Sequence, residues 1–300
     1  MSSSVDSKSS GDQAEGLRRL IGRQGLRISL FVSGRRRAGN TTAATGIAIA
    51  AAQLGRSVML LDESRSGTDA AAVCGLKPHW DLLDAMRGER ALEEVILPGP
   101  EGVLILPAAR AVRAVGDFGE RARTVLETGF ERMTPNIDWL MIDAACAADT
   151  RLLPLALSAQ EVLISLPEEG DALTDSYALI KLLHQEFGLA RFSVLSARVR
   201  HEARAREQCQ RLAQAAHRYL GVHVGCIGAV PLDATVQRAM ALARPLMQAF
   251  PASPAAQALR ARAEALDRLP AQTQVGSPVG ALVQRLMEGS RLDFAGLAFA

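Results

Sequence analysis

Short apolar runs alternate along this chain with longer segments of helical periodicity. The runs at 27–32, 57–61, 103–107, 137–142, 161–166, 191–195 and 224–230 are predicted to be strands. Strands that alternate with helices build a parallel sheet covered on both faces. The pattern therefore predicts an α/β fold, with a doubly wound, mostly parallel sheet between two layers of helices.

The pattern divides the chain into three regions. Residues 1–25 read as a Ser-rich disordered leader followed by a short amphipathic helix at 12–21, and residues 26–269 form the main domain. Residues 270–300 are predicted to be a linker and a C-terminal amphipathic tail. The apolar stripe of this tail consists of Val279, Leu282, Val283, Leu286 and Met287. Weak membrane contact through 279–287, a partner helix and packing on the body all remain open.

Composition narrows the function classes. The chain has 300 residues, of which 48% are hydrophobic, and a formal net charge of +2. This charge gives no global field that would attract nucleic acid, and no apolar run reaches the ~18 residues of a membrane-spanning helix. Cys74, Cys146, Cys209 and Cys226 have no metal-site spacing, so they are predicted to be reduced core thiols.

Candidate chemistry lies in the segment 33–42, between the first strand and an alanine-rich helix predicted at 41–54. A phosphate-binding loop has the form G-x-x-x-x-G-K-[ST], in which backbone N–H groups and a lysine hold phosphates and a hydroxyl binds Mg²⁺. Gly34, Gly39 and Thr41 occupy their places in this form, but Asn40 stands where the lysine belongs. The loop therefore resembles a nucleotide site that has lost its fixed cation.

Two carboxylates accompany the loop. Asp62 and Asp143 each follow an apolar strand, and the carboxyl ends of parallel strands are where α/β proteins place ligands. An aspartate at the end of such a strand holds Mg²⁺ in P-loop proteins. We therefore predict that Thr41, Asp62 and Asp143 would be the metal-side groups if a Mg-nucleotide binds.

These motifs resemble the MinD/ParA class of P-loop ATPases and, within it, the flagellar number regulators of the FlhG (FleN) type. The most specific match is the N-terminal D-Q-A-x-x-L-R segment, formed here by Asp12, Gln13, Ala14, Leu17 and Arg18. In the family this segment stimulates the SRP-type GTPase FlhF. Further similar segments are Gly75-Leu76-Lys77-Pro78, Thr174-Asp175-Ser176-Tyr177 and Gly228-Ala229-Val230-Pro231.

The chain departs from the family at its nucleotide site. In the family the loop reads S-G-K-G-G-V-G-K-T, so Arg35 replaces a signature lysine and Asn40 replaces the loop lysine. Ser64 stands where a water-orienting aspartate is expected. The other replacements are Arg36 and Arg37 for two glycines, Ala147 for a switch glycine and Ala197 for an adenine-contacting asparagine. Several coincident losses predict negligible ATP hydrolysis and no catalytic residue.

The resemblance implies a degenerate FlhG-like regulator that acts by protein contacts. Gly34, Arg35, Gly39, Asn40, Thr41, Asp62 and Asp143 would form a vestigial nucleotide site, with no cofactor or only weak Mg-ATP or Mg-ADP. The expected partners are an FlhF-type GTPase at 12–21 and flagellar switch or transcription-factor proteins, without a nucleotide-dependent dimer. The expected location is the cytoplasm, including the inner face of the membrane or the cell pole.

Two alternatives stay open at this point. One is a slow ATPase in which the arginines at 35–37 replace the lysine. The other is a ParA-like nucleic-acid binder that uses Arg198, Arg200, Arg204 and Arg206, although a solvated helical face is the favoured interpretation of these arginines.

Overall fold

The computed structural model describes residues 26–64, 67, 69–114, 119–269 and 278–289. The predicted docking helix at 12–21 lies outside these residues. The strands are β1 (Arg27–Ser33), β2 (Val58–Asp62), β3 (Leu97–Pro98), β4 (Leu104–Pro107), β5 (Trp139–Cys146), β6 (Glu161–Pro167), β7 (Arg191–Val199) and β8 (His223–Pro231). They form one sheet in the order β3-β4-β2-β5-β1-β6-β7-β8, parallel except for the short β3–β4 pair. The predicted α/β class is confirmed.

Helices connect the strands and cover both faces of the sheet. They are α1 (Asn40–Gln53), α2 (Ala70–Val73), α3 (Leu82–Met86), α4 (Leu92–Val95), α5 (Ala111–Ala114), α6 (Glu120–Met133), α7 (Ala172–Phe187), α8 (Glu202–Leu220), α9 (Ala234–Ala241), α10 (Leu246–Ala249), α11 (Pro254–Asp267) and α12 (Pro278–Gly289). In the described part of the segment between β2 and β4, the α-helices α2, α3 and α4 are each about one turn long.

The sheet separates two hydrophobic cores. One core holds α3, α6, α7, α8 and α12, and the other holds α1 and α11. Small residues let α1 approach α11 closely: a Cβ atom on Gly46 would lie 2.6 Å from Leu259 Cδ1. Ser253 caps α11 by accepting a hydrogen bond from the backbone of Ala256, and Pro254 lies in the first turn of the helix. The alanine-rich sequence of α1 thus reflects its tight packing against α11.

The C-terminal helix α12 packs on the body. Val279, Leu282, Val283 and Leu286 are buried in the same core as α6 and the segment 153–157. The apolar stripe is therefore buried against the domain. Of the three alternatives that the sequence left open, the structure shows packing on the body. Among the described residues, no helix is long and apolar enough to cross a bilayer.

Two expectations need correction. Strand β5 does not end before Asp143 but continues to Cys146, because β1 still pairs with it there through Ser33. Asp143 is consequently a fully buried residue within a strand. The prediction of four reduced core thiols is also wrong for one pair, since Cys209 and Cys226 are joined by a disulfide while Cys74 and Cys146 are free and buried.

Candidate functional site

The loop that resembles a phosphate-binding loop connects β1 to α1 at the centre of the sheet. Strand β1 lies between β5 and β6, with strands β2 to β5 on one side of it and β6 to β8 on the other. The carboxyl end of β1 is therefore the topological switch point of the sheet, where α/β folds place ligands. Gly39 precedes α1 with a φ of 88°, a left-handed conformation that favours glycine. Arg37 also has a positive φ of 59°, which is uncommon for a residue with a side chain. The loop therefore keeps a tight turn although two family glycines are replaced.

Gly34 is required for packing rather than for backbone conformation. A Cβ atom at this position would lie 2.6 Å from the backbone carbonyl of Asp175 in α7. The loop is thus pressed against the first turns of α7. This contact explains why the first glycine of the motif persists independently of any bound phosphate.

Asn40 points into the sheet. Its Nδ2 atom donates to Asp143 Oδ1 at 2.7 Å and lies 3.1 Å from the carbonyl oxygens of Phe31 and Ala144. Its Oδ1 atom accepts from the Ser165 hydroxyl at 2.8 Å. The buried amide thereby links β1, β5 and β6 beneath the loop, and its hydrogen-bonding capacity is used within the protein.

Two of the three arginines that replace family residues contact carboxylates of the same domain. Arg35 forms an ion pair with Asp175 at 3.0 Å and also donates to the carbonyl of Glu169. Arg36 binds Asp149 through two hydrogen bonds of 2.6 and 2.5 Å. These pairs fasten the loop to α7 and to the segment after β5. They also neutralise two of the cations that an arginine-based phosphate site would need.

The residues predicted to lie beside a metal ion are joined by hydrogen bonds that involve two hydroxyl groups. Thr41 Oγ1 lies 3.1 Å from Ser64 Oγ, which donates to Asp143 Oδ2 at 3.3 Å. Asp62 is paired in register with Asp143 on the adjacent strand, and it accepts from the backbone N–H groups of Ser64 and Ala70 at 2.8 and 2.7 Å. The structure thus brings together all three predicted metal-side residues. Among the described residues, however, no group of three or more His, Cys, Asp or Glu side chains could hold a metal ion.

Asp62 and Asp143 are both buried, and the loop has no lysine that could balance their charge. Burial raises the pKa of Asp143 from 3.8 to about 7, although hydrogen bonds from Thr41, Asn40 and Ser64 act in the opposite direction. Burial and the neighbouring Asp143 raise the pKa of Asp62 well above its ordinary value. Asn40 supplies a neutral amide here, so protonation rather than a fixed cation limits the repulsion between the carboxyl groups.

The positions where a switch glycine and a base-contacting asparagine were expected are also part of the packing. The backbone N–H of Ala147 donates to the carbonyl of Ser33, and Ala197 lies against Gly39. Arg198 donates to the carbonyl of Arg37 at 2.9 Å, so its side chain runs along the loop. A cleft of about 270 Å³ opens on the other side of the site, beside Asp62 and Ser64.

Two of the arginines that a nucleic-acid-binding surface would use form ion pairs with glutamates of the same chain. Arg200 lies 3.5 Å from Glu169, and Arg206 forms an i,i+4 pair with Glu202 at 3.1 Å. All of these side chains are largely exposed, so the pairs are weak. They give a mixed-charge surface at the start of α8 rather than an uncompensated basic stripe.

Several site residues were missed by sequence reasoning. Glu63 is buried and accepts hydrogen bonds from Thr150 Oγ1 and from the backbone of Ala145 and Arg151. Its place directly after a buried strand was a usable signal. Asp149 and Ser165 are distant in sequence from their loop partners, and no local pattern identifies them.

The environment of Asp143 predicts a pH-dependent stability. The pKa of Asp143 is higher in the folded chain than in the unfolded chain, so between about pH 4 and pH 7 only the folded chain keeps the proton on this carboxyl group. The stabilising contribution of protonated Asp143 is therefore lost as pH rises from about 4 to about 7. Asp143→Asn keeps the shape and removes the charge. It should leave urea unfolding near pH 4 almost unchanged and stabilise the fold by ~1–3 kcal/mol at pH 8.

Glu131→Gln, at an exposed position of α6, is the control and should shift stability equally at both pH values. If the difference in unfolding free energy between wild type and Asp143→Asn did not change with pH, the proposed charge state of Asp143 would be wrong.

The chain is similar to known flagellar and cell-division proteins. The antiactivator FleN of Pseudomonas aeruginosa is 31% identical over 263 residues, which are 88% of this chain and 94% of FleN. The flagellum site-determining protein YlxH of Helicobacter pylori is 22% identical over 161 residues, which are 51% of this chain and 52% of YlxH. The MinD cell division protein of Aquifex aeolicus superposes with a TM-score of 0.63 at 21% identity, covering 82% of this chain and 100% of MinD.

No protein-family model matches the sequence. The likeness to MinD shows the fold, and the identity to FleN extends over most of both chains. The loop, the strand aspartates and the sheet order fit the same lineage. The chain belongs to the MinD/ParA-type P-loop ATPase family, in the branch that contains FleN (FlhG).

Proposed function

We propose that this chain is an FlhG-like regulator of flagellar number or placement that acts through protein contacts and has lost ATP hydrolysis. The direction of the Asn40 side chain is the observation that carries the loss of hydrolysis. The flagellar role is supported by the likeness to FleN, named an antiactivator, and to YlxH, named a flagellum site-determining protein.

The argument against hydrolysis is electrostatic. Phosphoryl transfer depends on positioning and on neutralising the charge of the phosphate oxygens. Asn40 is neutral and donates its N–H groups to the sheet, while Arg35 and Arg36 are paired with Asp175 and Asp149. Ser64 has no carboxylate that could orient an attacking water. These residues do not fit Mg-ATP as a substrate.

The proposal extends to nucleotide binding and assembly. Gly34, Gly39 and Thr41 preserve the turn, but the cation that would hold the β- and γ-phosphates is missing. We expect Mg-ATP or Mg-ADP to bind weakly at most. A switch that depends on nucleotide should then be absent, and the oligomeric state should be the same with and without ATP.

The first test measures turnover and assembly on the purified chain. Phosphate release from Mg-ATP should equal that of a buffer blank, and size-exclusion light scattering should give one mass with or without ATP. Asp143→Ala is the matched variant. Release by the wild type that Asp143→Ala abolishes, or a monomer-to-dimer shift on adding ATP, would contradict the proposal and support the slow-ATPase alternative.

The partner proposal concerns the N-terminal segment. Its support is the sequence resemblance of Asp12, Gln13, Ala14, Leu17 and Arg18 to the family segment that stimulates FlhF. We propose that 12–21 docks on an FlhF-type SRP GTPase. The body would then be available for flagellar switch or transcription-factor proteins.

The second test uses GTP turnover by an FlhF-type GTPase. The full chain should raise turnover, and replacing Gln13 and Leu17 together by alanine should remove this effect, since they would contribute polar and apolar contacts of one helix. Arg35→Ala, which lies in the loop and outside the docking segment, should stimulate like the wild type. Equal stimulation by the Gln13/Leu17 variant, or none by the wild type, would refute the docking proposal.

A further inference from the structure

The disulfide between Cys209 and Cys226 connects a helix to the edge of the sheet. Cys209 lies in α8 and Cys226 in β8, with a Cα–Cα distance of 6.1 Å and a separation of 17 residues. This distance lies within the range that disulfides require. The chain passes from α8 to β8 through Gly221, which has a φ of 70°, so the bond closes a helix–strand hairpin.

The two cysteines differ in their exposure to solvent. Cys209 is 1% exposed and lies in the core beside Leu212 and Val224, whereas Cys226 is an exposed residue. Strand β8 is the last strand of the described sheet and pairs there with β7 alone. A small thiol can therefore approach Cys226 from the sheet edge, while Cys209 is buried in the core.

A β-bulge fixes where the bond can form. Cys226 pairs with Val194, and Gly228 pairs with Leu195, so Ile227 is an extra residue in β8. Before the bulge Val224 belongs to the core under α8, and after it Val230 belongs to the core under α11. Cys226 is thus the last residue of β8 before the bulge, after which alternate side chains of the strand face the opposite core.

The remaining cysteines do not compete for exchange. Cys74 and Cys146 are buried, and burial raises the pKa of their thiols to about 12 and about 11. A thiol of such high pKa is almost entirely protonated near neutral pH and reacts slowly. Redox chemistry in the described part of the chain is therefore concentrated at Cys209 and Cys226.

We propose that the Cys209–Cys226 pair is a redox-modification site that exchanges with low-molecular-weight thiols of the glutathione class. A thiolate attacks Cys226 Sγ, forms a mixed disulfide there and expels Cys209 as a thiolate, which takes up a proton. A second thiol then attacks the small-molecule sulfur and releases Cys226. The balance is one protein disulfide and two thiols giving two cysteine thiols and one small-molecule disulfide, and the reverse reaction closes the bond.

The effect of reduction should be local. The disulfide ties α8 to an edge strand that has a partner on one side only, so its loss should loosen the segment 202–231. The loop at 33–42 is held by Asn40 and by the pairs of Arg35 and Arg36, and it should remain unchanged.

The first experiment maps the bond in the purified full chain. Alkylation under denaturing conditions should label two cysteines before reduction and four after it. Trypsin should release the peptides 207–211 and 219–238 as one disulfide-linked species. Labelling of all four cysteines before reduction, in protein equilibrated with oxidised glutathione, would overturn the proposal.

The second experiment separates a redox site from an inert bond. Across glutathione buffers of increasing reducing power, hydrogen exchange in 202–231 should rise by about tenfold while exchange in 27–64 stays constant. The midpoint of thermal unfolding should fall by roughly 5–10 °C. Cys226→Ser changes an exposed position, so its hydrogen exchange and melting midpoint should equal those of the reduced wild type in every buffer. In Cys146→Ser, both quantities should still change with the reducing power of the buffer. A wild type whose exchange and melting do not respond would refute the proposal.

Discussion

The buried amide of Asn40 is the interaction on which the centre of this structure depends. It occupies the place where a P-loop protein carries a lysine, yet it contacts three strands and the carboxylate of Asp143 beneath the loop. A buried side chain that uses its donors and acceptors in this way joins the elements around it, and its removal leaves several polar groups without partners. The loop is thereby held from below by Asn40 and from outside by Arg35 and Arg36.

This arrangement changes the electrostatics of the inherited site. In a working P-loop protein, lysine and Mg²⁺ balance the phosphates and the strand carboxylates together. Here Asp62 and Asp143 are buried next to each other, and an amide and hydroxyl groups replace the cations. Neutralisation by protonation costs less than burying two unpaired charges. Protonation therefore allows both carboxyl groups to lie buried beside each other in the fold.

Much of the fold could be predicted from local pattern. Apart from the two-residue strand β3, which was not predicted, the apolar runs located the strands to within a few residues, and the spacing of Gly34, Gly39 and Thr41 placed the loop between β1 and α1. The direction of Asn40 could not be predicted, because it depends on Ser165 and Asp143, which are more than a hundred residues away in sequence. The pairing of Arg36 with Asp149 and the disulfide of Cys209 are likewise products of tertiary contact. Strand β5 was predicted too short because its last residues are paired on one side only, by β1.

The central claim is that Asn40 serves the fold and not a nucleotide. Its most direct test is the free energy of unfolding of Asn40→Ala, measured with urea beside Mg-ATP calorimetry on both proteins. The account predicts a loss of ~2–4 kcal/mol, because partners on three strands lose their hydrogen bonds, and no change in an already weak nucleotide affinity. The exposed Arg37→Ala variant should stay within ~0.5 kcal/mol of the wild type. An Asn40→Ala protein of unchanged stability that loses micromolar Mg-ATP binding would contradict the account.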